Sequence, residues 1–169
     1  NNENKGQSYS IVLGVKKSKS KTIITLDGDC QNNPSDIPKL IDVYFKNDFS
    51  LVGGIRNKRK DSFFKIISSK IANYIRNYIF KDNCIDTGCS LKIFDRDIFL
   101  KFPFFTGLHR FLPSLFAGLN KKTFFIPVQH RYRSYGISKY GTFKRLIVGI
   151  IDLIRVAIII KKLKRNKND

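Results

Sequence analysis

A chain of 169 residues with 42% apolar side chains can bury one core and is not a disordered tail. Its 32 basic and 13 acidic residues leave a net charge of +19, which draws polyanions: nucleic acid, anionic headgroups or phosphorylated substrates. Charge alone does not choose among these, and an AT-rich genome would account for part of the Lys, Asn and Ile excess. The 3 cysteines, without CxxC spacing, argue against a disulfide framework and a zinc site and fit a reducing cytosolic setting.

In chain order, residues 1–5 read as a loop leading into a helix over 6–17, with Tyr9, Val12, Leu13 and Lys16 at helical spacing. That opening, and the absence of Met, lead to the expectation that an amino-terminal part lies outside this sequence. Residues 21–26 form a buried strand. Asn32-Asn33-Pro34-Ser35 is turn chemistry, and Ser35 is the expected cap of a helix through Lys46 with Ile37, Leu40, Ile41, Tyr44 and Phe45 as its stripe. A strand over 49–53 and a basic loop over 54–60 follow. Asp61-Ser62 then caps a long helix to Phe80, with Phe64, Ile67, Ile71, Ile75 and Tyr78 on one face. A strand at 90–94, a short helix at 95–101 and a helix at 108–118 come next. Residues 123–132 are extended, interrupted by Pro127, and a polar loop over 134–141 leads to a last helix over 142–162 and a basic tail. Strands alternating with helices predict an α/β domain with a mainly parallel sheet, whose ligands gather at the carboxyl ends of strands.

The run TIITLDGDCQNNPSDIP carries the sharpest chemistry. A β-branched strand ends in Asp27 and Asp29, with Gln31 two residues on. In an extended chain such alternate residues point the same way, a seat for a hard divalent cation that keeps waters and takes phosphate oxygens. The plainer alternative is an Asp-rich turn that caps the next helix. The stretch Gly53-Gly54-Ile55-Arg56-Asn57-Lys58-Arg59-Lys60 ends a strand in two glycines, which would let backbone approach a ligand, and continues into cations suited to phosphate. Its alternative is a solvated basic loop. Arg133 and Lys139, with Gly and Ser between them, could fold around a phosphate or lie in a flexible loop. Asp86-Thr87-Gly88 reads as a turn, and His109, Arg110 and His130 read as structural, the histidines lacking metal-ligand spacing.

The ordered set DGDxQxxPxDIP, GGxRxxRxDSxxKxxxSxxxN, DxGC, HRFLP, HxxRxxGxSKYG and GxxDLxRV resembles the family-2 glycosyltransferases, in the polyprenyl-phosphate branch typified by dolichol-phosphate mannose synthase. The likeness runs from Asn4 to about Val156. It implies a GT-A-type nucleotide-sugar-binding α/β domain, amino-terminally truncated, with Mg²⁺ or Mn²⁺ at Asp27, Asp29 and Gln31. Asn4, Gly6 and Gln7 resemble the helix start near the donor, a GDP- or UDP-linked sugar, which Asp27 also serves. Arg56, Lys65, Ser69, Arg133 and Lys139 resemble the groups that grip a polyprenyl (dolichyl or undecaprenyl) phosphate. Lys65 stands where some members place Arg. The family's first strand and its Pro-x-Tyr-Asn-Glu base-binding loop have no counterpart here, which leaves the activity of this stretch by itself open.

The implied reaction needs no general base, because the acceptor is already an anion. Asp27, Asp29 and Arg56 would be the catalytic groups of an inverting, metal-dependent hexosyl transfer, in which cations and positioning bring two anions together. The alternatives are a family-2 enzyme acting on a glycan hydroxyl, for which Asp86 is the candidate base, and a basic nucleic-acid-binding module, for which no recognised motif appears. The expected organisation is a partial catalytic domain over 1–141 and an amphipathic helix with basic tail over 142–169. The run LIVGIIDLIRVAIII is too short and too charged to span a bilayer. It fits a helix lying on the membrane, here its cytoplasmic face, or alternatively a core helix.

Overall fold

The computed structural model describes the backbone of residues 3–56, 63–131 and 142–166, and the side chains of 3–56, 71–131 and 148–166. Four strands, β1 (Thr22–Thr25), β2 (Leu51–Arg56), β3 (Lys92–Asp95) and β4 (Thr123–Val128), form one sheet in the order β1-β3-β2-β4. β3 is antiparallel to both neighbours, and β2 is parallel to β4. Thus β1, β2 and β4 point the same way, as the alternation of strands and helices predicts, while the hydrogen-bonded pairings are mixed because β3 is reversed between them. Pro127 sits in β4 opposite Ile55, at the sheet edge, where its missing N–H breaks no interior ladder.

Register assigns the core. Leu51 faces Phe94 across β2 and β3, and the next pair is Val52 with Ile93. Side chains alternate, so the two pairs serve opposite faces. Leu51 and Phe94 join Phe99, Leu112, Leu115 and Phe116 in one cluster, whereas Val52 and Ile93 join Leu40, Leu91 and Val128 in the other. The abundant Phe residues mostly fill the first: Phe94 stacks on Phe99 at 5.2 Å, and Phe102 meets Phe116 edge-on at 5.4 Å.

The helices are α1 (Gln7–Lys17), α2 (Ile37–Lys46), α3 (Phe63–Phe80), α4 (Arg96–Phe99), α5 (Leu112–Gly118) and α6 (Thr142–Arg165). Two of their starts differ from the sequence reading in detail. A 3-10 turn over Pro34–Asp36 precedes α2, and Asn33, rather than Ser35, supplies the cap by accepting from the Ser35 amide at 3.2 Å. A second 3-10 turn, Leu108–Arg110, precedes α5. Asp95 caps α4, its carboxylate accepting from the Ile98 amide at 2.7 Å.

The expected apolar face of α3 is turned outward. Ile71, Ile75 and Tyr78 are exposed, whereas Arg76 is buried. The cause is Asp82, which has no exposed surface: it accepts from Arg76 Nε at 2.8 Å and from the Ser114 hydroxyl, while Arg76 also donates to the Cys84 carbonyl. A buried carboxylate needs this partner more than the core needs another isoleucine. The expected cap Asp61-Ser62 and the side chains of Phe64 and Ile67 lie outside the described residues.

On α6, Val156 and Ile160 enter the first core cluster. The close approach to α5 depends on Gly118, where a Cβ would stand 2.5 Å from Ile160 Cδ1. Gly118→Ala is therefore expected to cost about 1–3 kcal/mol of stability by overpacking a stiff, β-branched neighbour. Urea denaturation of the variant against wild type measures this.

Candidate active site

The carboxyl end of β1 runs directly into Asp27 and Asp29, and Ser90, just before β3, tacks that turn in place. The Thr25 hydroxyl donates to the Ser90 carbonyl at 2.7 Å. The Ser90 hydroxyl oxygen accepts from the Asp27 amide at 3.1 Å and from the Asn32 side chain at 2.6 Å. From the opposite side Gln7, in the first turn of α1, donates to Asp27 Oδ1 at 2.7 Å. Gly6 precedes the helix with φ of 83°, and its amide donates to Asn4 Oδ1 at 3.1 Å. The structure therefore brings Asn4, Gly6 and Gln7 to the DGD turn.

Beyond Asp29 the chain makes a tight turn, with Cys30 at φ 61° and the Gln31 amide donating to Asp29 Oδ1 at 3.2 Å. The Gln31 carbonyl accepts from the Arg131 amide at 2.8 Å, and its side-chain nitrogen donates to the Arg131 carbonyl at 3.4 Å. The segment leading to Arg133 thus abuts the DxDxQ segment. Arg133 and Lys139, and the side chains of Lys65 and Ser69, lie outside the described residues.

Arg56, at the end of β2, meets Asp86 in a two-pronged ion pair, Nη2 to Oδ1 at 2.7 Å and Nε to Oδ2 at 2.8 Å, and the Arg56 amide adds a bond to Oδ2 at 3.1 Å. Such a fork on a carboxylate with 5% of its side chain exposed is the geometry that offsets desolvation. Gly88 makes room for it, since a Cβ there would lie 2.7 Å from Arg56 Nη2. Asp86 is therefore a partner for Arg56 rather than a turn-setter alone. Gly53 and Gly54 serve packing, not ligand approach: Cβ atoms there would meet Phe125 at 2.9 Å and Val128 at 2.7 Å.

Gly88 and Asp27 line a common cleft of about 670 Å³, closed by α1, β1 and the turn bearing His109 and Arg110. In that turn Ser8 accepts from the Gly107 amide at 2.9 Å and pairs with His109 Nδ1 at 2.8 Å. Burial, with repulsion from Lys92 and Arg110, pushes His109 down to about 4. Lys92 also lines the cleft. It donates to the carbonyls of Cys89 and Thr87, and burial lowers its pKa. Arg110 Nη2 is anchored on Asp152 of α6 at 3.1 Å, with its Nε buried and without a hydrogen-bond partner among the described residues.

Sequence reasoning did not single out Ser8, Ser90 or Lys92, and it read His109 and Arg110 as structural. A lone polar residue near a strand or helix start gives no local sign that it will face a cleft.

Asp27 and Asp29 are half-buried hard-oxygen groups at a strand end, and they fit a divalent cation that keeps waters and substrate phosphates in its shell. Gln31, whose amide is directed to Arg131, does not complete a ready-made ligand set, and no cluster of His, Cys, Asp and Glu suited to a metal occurs among the described residues.

The fold is GT-A-like. It superposes on glucosyl-3-phosphoglycerate synthase from Mycobacterium tuberculosis, crystallised with Mn²⁺, UDP-glucose and phosphoglyceric acid, with a TM-score of 0.63 at 11% identity over 88% of this chain and 54% of that one. Mannosyl-3-phosphoglycerate synthase from Rubrobacter xylanophilus gives 0.60, also at 11% identity, over 97% and 53%. Residues 1–102 match the description Glycosyl transferase family 2, and the chain belongs to that family. It is 35% identical over 156 residues to dodecaprenyl-phosphate galacturonate synthase of Rhizobium johnstonii, covering 90% of this chain and 46% of that protein. Over 153 residues it is 34% identical to undecaprenyl-phosphate 4-deoxy-4-formamido-L-arabinose transferase of Pectobacterium carotovorum, with the same coverage. The chain spans about half the length of these curated relatives.

The low pKa of His109 has a measurable consequence. Between the unfolded value of 6.5 and about 4 the unfolded chain holds a proton that the folded chain does not, so this group makes stability fall as pH drops through that window. Replacing His109 with Gln is expected to flatten that part of the profile. Urea midpoints of the two proteins at pH 7 and pH 4.5 measure the difference.

Proposed function

We propose that the protein takes part in transfer of a hexose from a nucleotide-sugar to a polyprenyl phosphate at a membrane surface, with inversion at the anomeric carbon. The observation that carries this reading is the Arg56–Asp86 pair, which packs against Gly88 behind the wall of the Asp27 cleft. Both oxygens of the candidate base are held by a guanidinium, so Asp86 is poorly placed to abstract a proton. That suits an acceptor already ionised and disfavours a glycan hydroxyl, which must lose a proton. The names of the 34–35% identical relatives, one a dodecaprenyl-phosphate and one an undecaprenyl-phosphate enzyme, support the same acceptor class.

In this reading Asp27 and Asp29, with Gln31 adjoining, would hold Mg²⁺ or Mn²⁺, whose charge offsets that of the departing nucleoside diphosphate. The Mn²⁺ and UDP-glucose of the M. tuberculosis structure make such a donor site plausible for the fold. Gln7 orients Asp27, and Asn4 and Gly6 set the start of α1 beside the donor. Arg56, Lys65, Ser69, Arg133 and Lys139 would receive the acceptor phosphate. Arg56 enters as a guanidinium steered by Asp86. Arg110, which lines the Asp27 cleft, adds positive charge there.

The membrane reading rests on α6. Among the described residues no helix is long and apolar enough to cross a bilayer. Yet Ile150, Ile151, Ile154 and Ile158 are exposed, and Lys161, Lys162, Lys164 and Arg165 follow them. An apolar stripe with a basic flank is the pattern of a helix lying in the interface. The proposed division at 141/142 assigns attachment to the outer side of α6, while its inner side, through Val156, Ile160 and Asp152, belongs to the catalytic domain's packing.

In the full-length protein, Asp29→Asn is expected to lower turnover by about a hundredfold or more while leaving thermal stability nearly unchanged. Labelled nucleotide-sugars with undecaprenyl phosphate or with oligosaccharides, each with and without chelator, provide the assay. Transfer to oligosaccharide alone, or wild-type turnover by the variant, would remove the acceptor assignment or the metal role respectively.

A further inference from the structure

α6 is apolar on two sides. Val156 and Ile160 are buried against the core, while Ile151, Ile154 and Ile158 on the outer side are each at least 50% exposed. A helix hydrophobic all round is normally covered all round. Beside that outer stripe lies a groove of about 720 Å³ between α6 and the turn Leu100 to Pro103, in the size range of small-molecule sites. Phe102, Ile154 and Ile158 contribute to its floor. Lys101, Arg155 and Lys162 also line it, and among the described residues no carboxylate does. Arg155 is partly neutralised by Asp152 at 3.0 Å, whereas Lys101 and Lys162 enter no ion pair among the described residues.

We propose that this groove binds the phosphate headgroup and first methylenes of an anionic glycerophospholipid, and so fixes the depth and orientation of α6 in the bilayer interface. The proposal rests on the membrane-surface reading and goes beyond it by assigning a discrete lipid site that includes residues outside α6. Charge complementarity selects an anion, and the apolar floor selects one with a hydrocarbon chain over a free phosphate. The acceptor lipid is the poorer occupant, because in the proposed reading its phosphate must reach the Asp27 cleft, and among the described residues the two cavities share no lining residue. Asp152 stands between them, with Oδ2 on Arg110 of the cleft and Oδ1 on Arg155 of the groove.

The test is vesicle co-sedimentation without nucleotide-sugar, so that it does not depend on catalysis. Three vesicle types are used: phosphatidylcholine alone, phosphatidylcholine with phosphatidylglycerol, and phosphatidylcholine with undecaprenyl phosphate. Lys101→Glu with Lys162→Glu is compared with Lys161→Glu with Lys164→Glu, which changes the net charge equally but lies outside the groove. Both pairs are expected to weaken binding to phosphatidylglycerol vesicles, since both remove flank charge, and the groove pair is expected to lose at least about tenfold more affinity than the other pair. Equal losses would mean delocalised attraction and would overturn the groove. A loss confined to undecaprenyl phosphate vesicles would assign the groove to the acceptor and overturn the proposal as well. Failure of the wild type to bind phosphatidylglycerol vesicles would remove the membrane reading itself, a result distinct from both. Circular dichroism checks folding, and the Lys101→Ala with Lys162→Ala pair replaces the reversed charges if they unfold the chain.

Discussion

The cleft depends on one buried carboxylate. Asp86 is withdrawn from water, and the guanidinium of Arg56 matches it at both oxygens while the Arg56 amide takes a further bond. A charge so placed is tolerable only with a partner in this geometry, and removing either member strands the other. The pair fixes the end of β2 against the loop from Asp82 to Ser90. The same loop is pinned at its start, where Asp82 meets Arg76 and Ser114, and at its end, where Ser90 holds Asp27 and Asn32. The inner wall is therefore set by three polar anchors within nine residues of sequence, and the backbone between them has little freedom left.

Electrostatics around that wall are graded. Lys92, buried with its ammonium on backbone carbonyls, has its pKa lowered by desolvation, and His109 is held neutral at pH 7. Arg110, half-exposed, also lines the cleft, with its guanidinium on Asp152. Burying cations costs free energy, and the chain confines that cost to residues bonded to carbonyls or carboxylates. In the proposed reading, an anionic ligand entering the cleft would add counter-charge beside Lys92 and Arg110, which would link binding energy to local folding energy at one place.

Much of this was legible in the sequence for physical reasons. β1 and its Asp27–Asp29 terminus are local: a β-branched run followed by turn-forming acids signals a strand end without any tertiary information. α1, α2 and α6 were legible from periodicity. What escaped depends on partners far away in the chain. Asp86 looked like a turn because its mate is thirty residues earlier, at Arg56. The glycines of β2 looked like a ligand-binding turn, but their lack of side chains is demanded by Phe125 and Val128 on β4. The outward face of α3 was misassigned because one buried acid, Asp82, overrode the pattern of several isoleucines. Ser90 and Ser8 carry no local signal at all; their roles appear only once strands and helices meet.

The two margins of the sheet are treated differently. β4 carries Pro127, and a residue that cannot donate discourages another strand from adding there. β1 has no such guard: among the described residues β3 is its strand partner, and Ile24 and Leu26 remain accessible. Among the described residues no strand pairs with the other side of β1, and in this stretch by itself the N–H and C=O groups there form a template for β-augmentation by an extended polypeptide. When this stretch is handled in isolation, its colloidal behaviour will be governed by competition between intermolecular strand addition at that margin and the mutual repulsion of a highly cationic surface. Raising ionic strength, which screens only the second, will therefore favour assembly.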